Sequence, residues 1–151
     1  MLDDINRRLI RQLQADPERS VADLAERTGI TPATAARRIE KLTSQGVLKG
    51  QSATINWPAL GYDVKVSLRF TLDKTNPRAF DEFLTDARNV PEVVEIQTFL
   101  GRVDVRLSVI ARDMAHYQTI YRTRILTLPH IADIEALMHI ATIKSAEALP
   151  I

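Results

Sequence analysis

The chain of 151 residues is long enough for one ordinary domain or two small ones, and 45% apolar with 26% charged residues suits a folded protein. It holds no cysteine, which excludes disulfides, thiolate zinc sites and cysteine nucleophiles. A formal net charge of +1 excludes a polycation, yet the charge is uneven: residues 1–50 carry nine Lys and Arg against seven Asp and Glu, and residues 51–151 eleven against twelve. From Thr31 to Lys49 the balance is +3, with Glu40 the only acid, and it is this local charge that a phosphate backbone would feel. The amino terminus lacks the basic start and apolar run of a secretion signal, and no apolar stretch approaches the ~20 residues of a membrane span. A cytoplasmic protein with no membrane partner is the expectation.

In chain order, Leu2, Ile5, Leu9 and Leu13, with Ile10 beside them, make one face of a first helix. It begins near Asp3-Asp4, acids suited to a helix N-terminus, and ends before Asp16-Pro17. Ser20 to Gly50 then reads as two short helices and a tight turn. Ser20 can cap the first, with Asp23 three positions on as a capping-box variant. Val21, Leu24 and Ala25 fall at helical spacing, and Gly29 supplies a residue tolerant of left-handed backbone angles. Thr31-Pro32 restarts the helix, a hydroxyl at the cap and a ring where no N–H is needed.

The helix from Pro32 to about Ser44 divides into faces. Ala35, Ile39 and Leu42 point into a small core, whereas Ala33, Thr34, Arg37 and Lys41 point away and Arg38 lies on the flank. Small residues at its start permit close approach to a surface, and long cations follow. A major groove admits one helix, offers guanine acceptors that suit arginine, and is walled by phosphates. The candidate contacts to double-stranded DNA are therefore Thr31, Ala33, Thr34, Arg37, Arg38 and Lys41, with Arg38 suited to a phosphate or to an acid of its own domain and the others facing the groove. The alternative is a helical pair whose charged face is merely solvated.

Gln51 to Asn56 reads as a possible strand, and residues 51–62, with Pro58 and Gly61, as the connector between domains at 1–50 and 63–151. Val64, Val66, Leu68, Phe70 and Leu72 alternate with polar residues as a strand. Phe80, Phe83, Leu84 and Ala87 form a helical stripe. Val93 to Phe99 is strand-like, Gly101-Arg102 a tight hairpin turn, and Val103, Val105, Leu107 and Val109 alternate again. Met114, Tyr117, Tyr121, Ile125 and Leu128 give a second helical face stopped by Pro129, and Ile131 to Ile143 a long final strand. The order is βαββαβ, a ferredoxin-like sandwich with helices on one side of an antiparallel sheet. In the last strand Ala132, Ile134, Ala136, Met138 and Ile140 take one side while Ile131, Leu137, Ala141 and Ile143 take the other. A strand apolar on both faces predicts self-association, and a two-fold dimer suits paired recognition helices.

The chain resembles the Lrp/AsnC (feast/famine) transcriptional regulators. The resemblance rests on Leu2-Asp3, the Ser20–Leu24 helix, LTSQGVLKG from Leu42 to Gly50, Leu60-Gly61, Gly101-x-x-Asp104-x-x-Leu107, Leu128-Pro129 and Leu149-Pro150, in that order and spacing. It implies an α+β chain: an N-terminal (winged) helix-turn-helix domain plus a C-terminal ferredoxin-like, RAM/ACT-like domain. It also implies a dimer, often built up to an octamer, that senses an amino acid between subunits. The effector motif maps to Leu100, Gly101, Arg102 and Asp104. Gly101 would let backbone N–H groups approach an α-carboxylate, and Asp104 could pair with an α-ammonium; otherwise Asp104 is a hairpin carboxylate paired with Arg102 or Arg106. Departures are Asn6, where aspartate is common, Leu100, where a small or hydroxyl residue is frequent, and Val105 in place of an aromatic. The last two make the pocket greasier.

His116, His130 and His139 lack metal-ligand spacing, Glu92 and Glu95 flank a turn, and neither a nucleophile elbow nor a phosphate loop occurs. No catalytic residue, metal or cofactor is expected. The rival readings are a haem-pathway decarboxylase, as some proteins similar to the family are, and a small-molecule-binding module without DNA binding.

Overall fold

A computed structural model describes residues 2–145 and 148–151, in two compact units: Met1–Thr54 with Lys144–Ile151, and Ile55–Ile143.

In the first unit the helices are α1 (Asp4–Ala15), α2 (Val21–Thr28) and α3 (Pro32–Ser44). Each starts on the residue whose side chain can take an orphan N–H. Asp3 accepts from Asn6 N, Ser20 from Asp23 N and Thr31 from Thr34 N, with Pro32 at the first turn of α3. The capping box at Ser20 is only half made, because the Asp23 carboxylate takes Arg19 at 2.8 Å and Arg27 at 2.9 Å. Leu9, Leu24, Ala25 and Ala35 form the buried core, ringed by Ile5, Leu13, Ile30 and Ile39. Gly29 ends α2 at φ +70°, and a Cβ there would meet nothing within 4 Å. Gly29→Ala is therefore expected to cost about 1 kcal/mol from backbone strain alone, measured by urea unfolding.

The last residues pack on α1 instead of joining the second unit. The Gln14 amide donates to Leu149 O at 3.1 Å and accepts from Leu149 N–H. Gln51 to Asn56 forms no strand, and no strand occurs among the described residues of this unit, so the expected wing is absent there. The apolar pattern of those six residues is too thin: Ile55 is its one large apolar side chain, and it is 53% exposed.

In the second unit β1 (Val64–Leu72), α4 (Ala79–Arg88), β2 (Val93–Thr98), β3 (Val105–Ala111), α5 (Met114–Ile120) and β4 (Ile131–Met138) follow the expected order. The sheet is antiparallel, ordered β2-β3-β1-β4. Val66, Leu68 and Phe70 of β1, with Val105, Leu107 and Val109 of β3, face the helices, and Phe70 meets Phe83 of α4 at 5.0 Å between ring centroids.

Three local readings change. The chain after α5 makes a π turn at Tyr121–Ile125, whose extra residue rotates the stripe: Ile120 is buried and Met114 is 45% exposed. The turn between β2 and β3 is no two-residue hairpin but the loop Leu100–Val103, closed by Phe99 N–H to Asp104 O at 2.9 Å. The final strand stops at Met138, and a register shift between Thr71 and Leu72 brings Ile131 to the same covered face as Ile134. The open face of β4 thus shows Asp133, Glu135 and Leu137, and the two-faced apolar strand expected from sequence does not form. Its apolar excess lies past the strand end instead, with Ile140 96% and Ile143 94% exposed.

Candidate nucleic-acid interface and effector loop

The caps and core of the first unit decide what α3 presents. Burying Ala35 and Leu42 turns Ala33, Arg37 and Lys41 to the exterior, with Thr34 half-buried. Thr31 Oγ donates to Thr34 Oγ at 2.9 Å, so the two hydroxyls are joined at the start of the helix. The side chains of Arg37 and Lys41 enter no ion pair among the described residues.

Arg38 behaves differently. Its Nη1 lies 2.6 Å from Asp3 Oδ2 and donates to Asn6 Oδ1 at 3.0 Å, which latches α3 to the start of α1. The Arg38 hydrogen bond, then the Asn6 N–H, hold the Asp3 carboxyl below the usual carboxylate range. Asn6, a departure from the family pattern, is thus an acceptor for this arginine. A hollow of about 260 Å³ opens beside the latch, bounded by Asp3, Asn6, Arg37, Arg38, Lys41 and Gln45. Gln45 was missed from sequence. The steps 37, 41, 45 continue one helical stripe, but Gln45 lies just past the last helical residue. Chemically the stripe offers two free cations and an amide, donors matched to phosphate oxygens and to purine N7 and O6.

On the second unit, Leu100 stands fully exposed at the loop tip and Gly101 has φ +154°, which only glycine adopts freely. Arg102 is exposed, and its carbonyl accepts from Thr71 Oγ at 3.0 Å. Asp104 is 3% exposed. Its carboxylate pairs with neither Arg102 nor Arg106. One oxygen accepts Leu72 N–H at 2.9 Å and the other lies 2.9 Å from Lys74 Nζ. Burial pushes this carboxyl up, but the Leu72 N–H and the Lys74 ammonium outweigh it, leaving it below the usual carboxylate range. Sequence alone could not find Lys74, because the pairing of β1 with β3 is what brings the end of β1 beside Asp104. Among the described residues, no cluster of three His, Asp or Glu could hold a metal ion, and no helix is long and apolar enough to cross a membrane.

A helix-turn-helix with a cationic second helix, joined to a βαββαβ sandwich, defines a two-part DNA-binding regulator. Comparison with known proteins gives the same class. Residues 2–43 match the AsnC-type helix-turn-helix domain and residues 65–149 the Lrp/AsnC ligand binding domain. The chain belongs to the Lrp/AsnC family of DNA-binding transcriptional regulators. It is 28% identical to the leucine-responsive regulatory protein of Escherichia coli K12 over 99% of this chain and 92% of that one. To the transcriptional regulator AzlB of Bacillus subtilis it is 26% identical, over 100% and 96%. Among solved structures, an AsnC family transcriptional regulator from Agrobacterium tumefaciens superposes with a TM-score of 0.86 at 29% identity, covering 98% of this chain and 96% of that one. A feast or famine regulatory protein from M. tuberculosis, complexed with L-methionine, superposes with 0.85 at 28% identity, covering 97% of each.

Proposed function

We propose that this chain acts in the cytoplasm as a sequence-specific regulator that binds, without catalysis, through α3 in the major groove. Thr34, Arg37 and Lys41 face base edges, Gln45 extends their stripe, and Thr31 and Ala33 let the helix start come close. Arg38 is spent mainly on the latch to Asp3 and keeps α3 at its angle. The observation that carries this reading is the contrast on one helix: Arg38 is tied back while Arg37 and Lys41 stand exposed. Two-fold pairing would set two such helices on successive turns of duplex, ~34 Å apart. The free edge of β4, with Met138, Ile140 and Ile143 exposed beyond it, supports a second copy as the pairing partner, since an unpaired strand edge is best matched by another strand.

An amino acid is proposed as effector, its α-carboxylate on the backbone of Leu100–Arg102 and its α-ammonium on Asp104, with a second copy covering the exposed Leu100. The M. tuberculosis relative complexed with L-methionine supports that class. Lys74 Nζ holds the position on Asp104 that the α-ammonium would take and must yield to it. Calorimetric titration of the full chain with the twenty amino acids tests this. At least one should bind, Asp104→Asn should weaken it about tenfold or more, and Lys74→Gln should not weaken it. Unchanged affinity in Asp104→Asn would move the effector elsewhere.

A further inference from the structure

His130 is the one non-glycine among the described residues with left-handed backbone, at φ +61°. That conformation crowds Cβ against the following carbonyl oxygen and persists only where surrounding contacts impose it. Two contacts do so here. The ring Nε2 lies 2.6 Å from Glu82 Oε2 on α4, and the His130 carbonyl accepts Asp73 N–H at 2.8 Å. The His130 ring, above all, holds the Glu82 carboxyl below the usual carboxylate range. Arg78 Nε comes only to 3.6 Å from the other Glu82 oxygen. The backbone contact leads on toward Asp104. Asp73 follows the end of β1, and its carboxylate closes the next turn by accepting Thr75 N–H at 3.0 Å and Thr75 Oγ at 2.8 Å. Lys74 lies between those two residues, with Nζ 2.9 Å from Asp104 Oδ1 and a side chain 61% exposed. A lysine so hydrated gains little from an ion pair unless its backbone is already fixed. Here the backbone is fixed from His130.

We propose that the Glu82–His130 pair is a clamp that keeps Lys74 on Asp104, which makes His130 a positioning residue for the effector carboxylate. The clamp holds the left-handed turn, the turn aims its carbonyl at Asp73, and the Asp73–Thr75 turn aims Lys74. An amino acid binds Asp104 only by displacing Lys74, so a contact on α4 sets effector affinity. That consequence rests on the reading of Asp104 as the effector carboxylate; the clamp itself does not.

The test is NMR titration of the Asp104 carboxyl carbon in the full chain, its signal assigned by its loss in Asp104→Asn. In Glu82→Ala the strained turn loses its anchor and Lys74 is released, so the Asp104 carboxyl should titrate higher, as it should in Lys74→Gln. Removing the Glu82 charge would by itself move it lower, so the sign separates the clamp from bare electrostatics. In the Lys74→Gln background Glu82→Ala should give no further rise. Glycine adopts the left-handed angle unaided, so adding His130→Gly to Glu82→Ala should return the titration close to its native position. The amino acid that binds through Asp104 should bind Glu82→Ala at least about threefold tighter than the native chain. An Asp104 titration unmoved or lowered in Glu82→Ala, or left raised after His130→Gly is added, overturns the clamp. Equal amino-acid affinity in the native chain and Glu82→Ala overturns its link to the effector. If no amino acid binds, the effector reading alone fails, because the titration judges the clamp without a ligand.

Discussion

Asp104→Ala is expected to destabilise the second unit by about 2–4 kcal/mol, seen as a lower urea midpoint. Two losses combine. The buried Leu72 N–H is left without its acceptor, which costs about 1–3 kcal/mol, and Lys74 loses a carboxylate that is only 5% exposed. Asp104→Asn keeps an oxygen for Leu72 N–H and should cost less than half as much. That contrast matters for function, because loss of effector binding in the alanine variant would report a damaged loop, whereas the asparagine variant isolates the charge. The pH dependence follows in sign. The Asp104 carboxyl sits below its unfolded value, so its contribution is complete above the ordinary carboxyl range and is lost as pH falls through the folded value. The stability gap between the native chain and Asp104→Asn should therefore shrink below about pH 4.

Arg37→Ala should cut affinity for the cognate site by about 1–3 kcal/mol, roughly 5- to 150-fold, while changing random-DNA binding far less. The side chain is exposed on α3 and enters no ion pair among the described residues, so its removal leaves the fold intact and the loss is read at the DNA. Equal loss on both DNAs would make it a phosphate contact, with a shallower salt dependence as its second sign. Arg38→Ala should act differently, lowering the stability of the first unit and raising the Asp3 titration toward the usual carboxylate range, with the Asn6 N–H still holding it below, because the partner of Arg38 there is Asp3.

What could be read from the sequence was whatever local chemistry decides. Caps at Asp3, Ser20 and Thr31, the glycine at 29 and the 3.6-residue burial of Ala35 and Leu42 depend on neighbours within four residues, and each falls where periodicity and turn chemistry put it. The strand alternation of Val64 to Leu72 was legible for the same reason. What escaped depends on register between distant segments. The π turn at Tyr121–Ile125 makes Ile120 a core residue, the shift at Thr71/Leu72 turns Ile131 inward, and the pairing of Asp104 with Lys74 spans the β1–β3 interface. The site residues divided along the same line. The direction of Arg37 and Lys41 follows from their own helix, whereas for Arg38 an acid of its own domain was one expected partner but its identity, Asp3, lies thirty-five positions away in sequence. Strand 51–56 failed because one exposed isoleucine carries no pattern strong enough to outweigh an irregular connector.

The most direct measurement is methylation protection of guanine N7 on an operator selected from random duplex by the full chain. With α3 in the major groove, guanine N7 atoms should be protected in two patches about one helical turn apart, and protection within each should fade in Arg37→Ala. Guanine N7 left fully reactive on a tightly bound site, or protected only at adenine N3 in the minor groove, would contradict a recognition role for this helix.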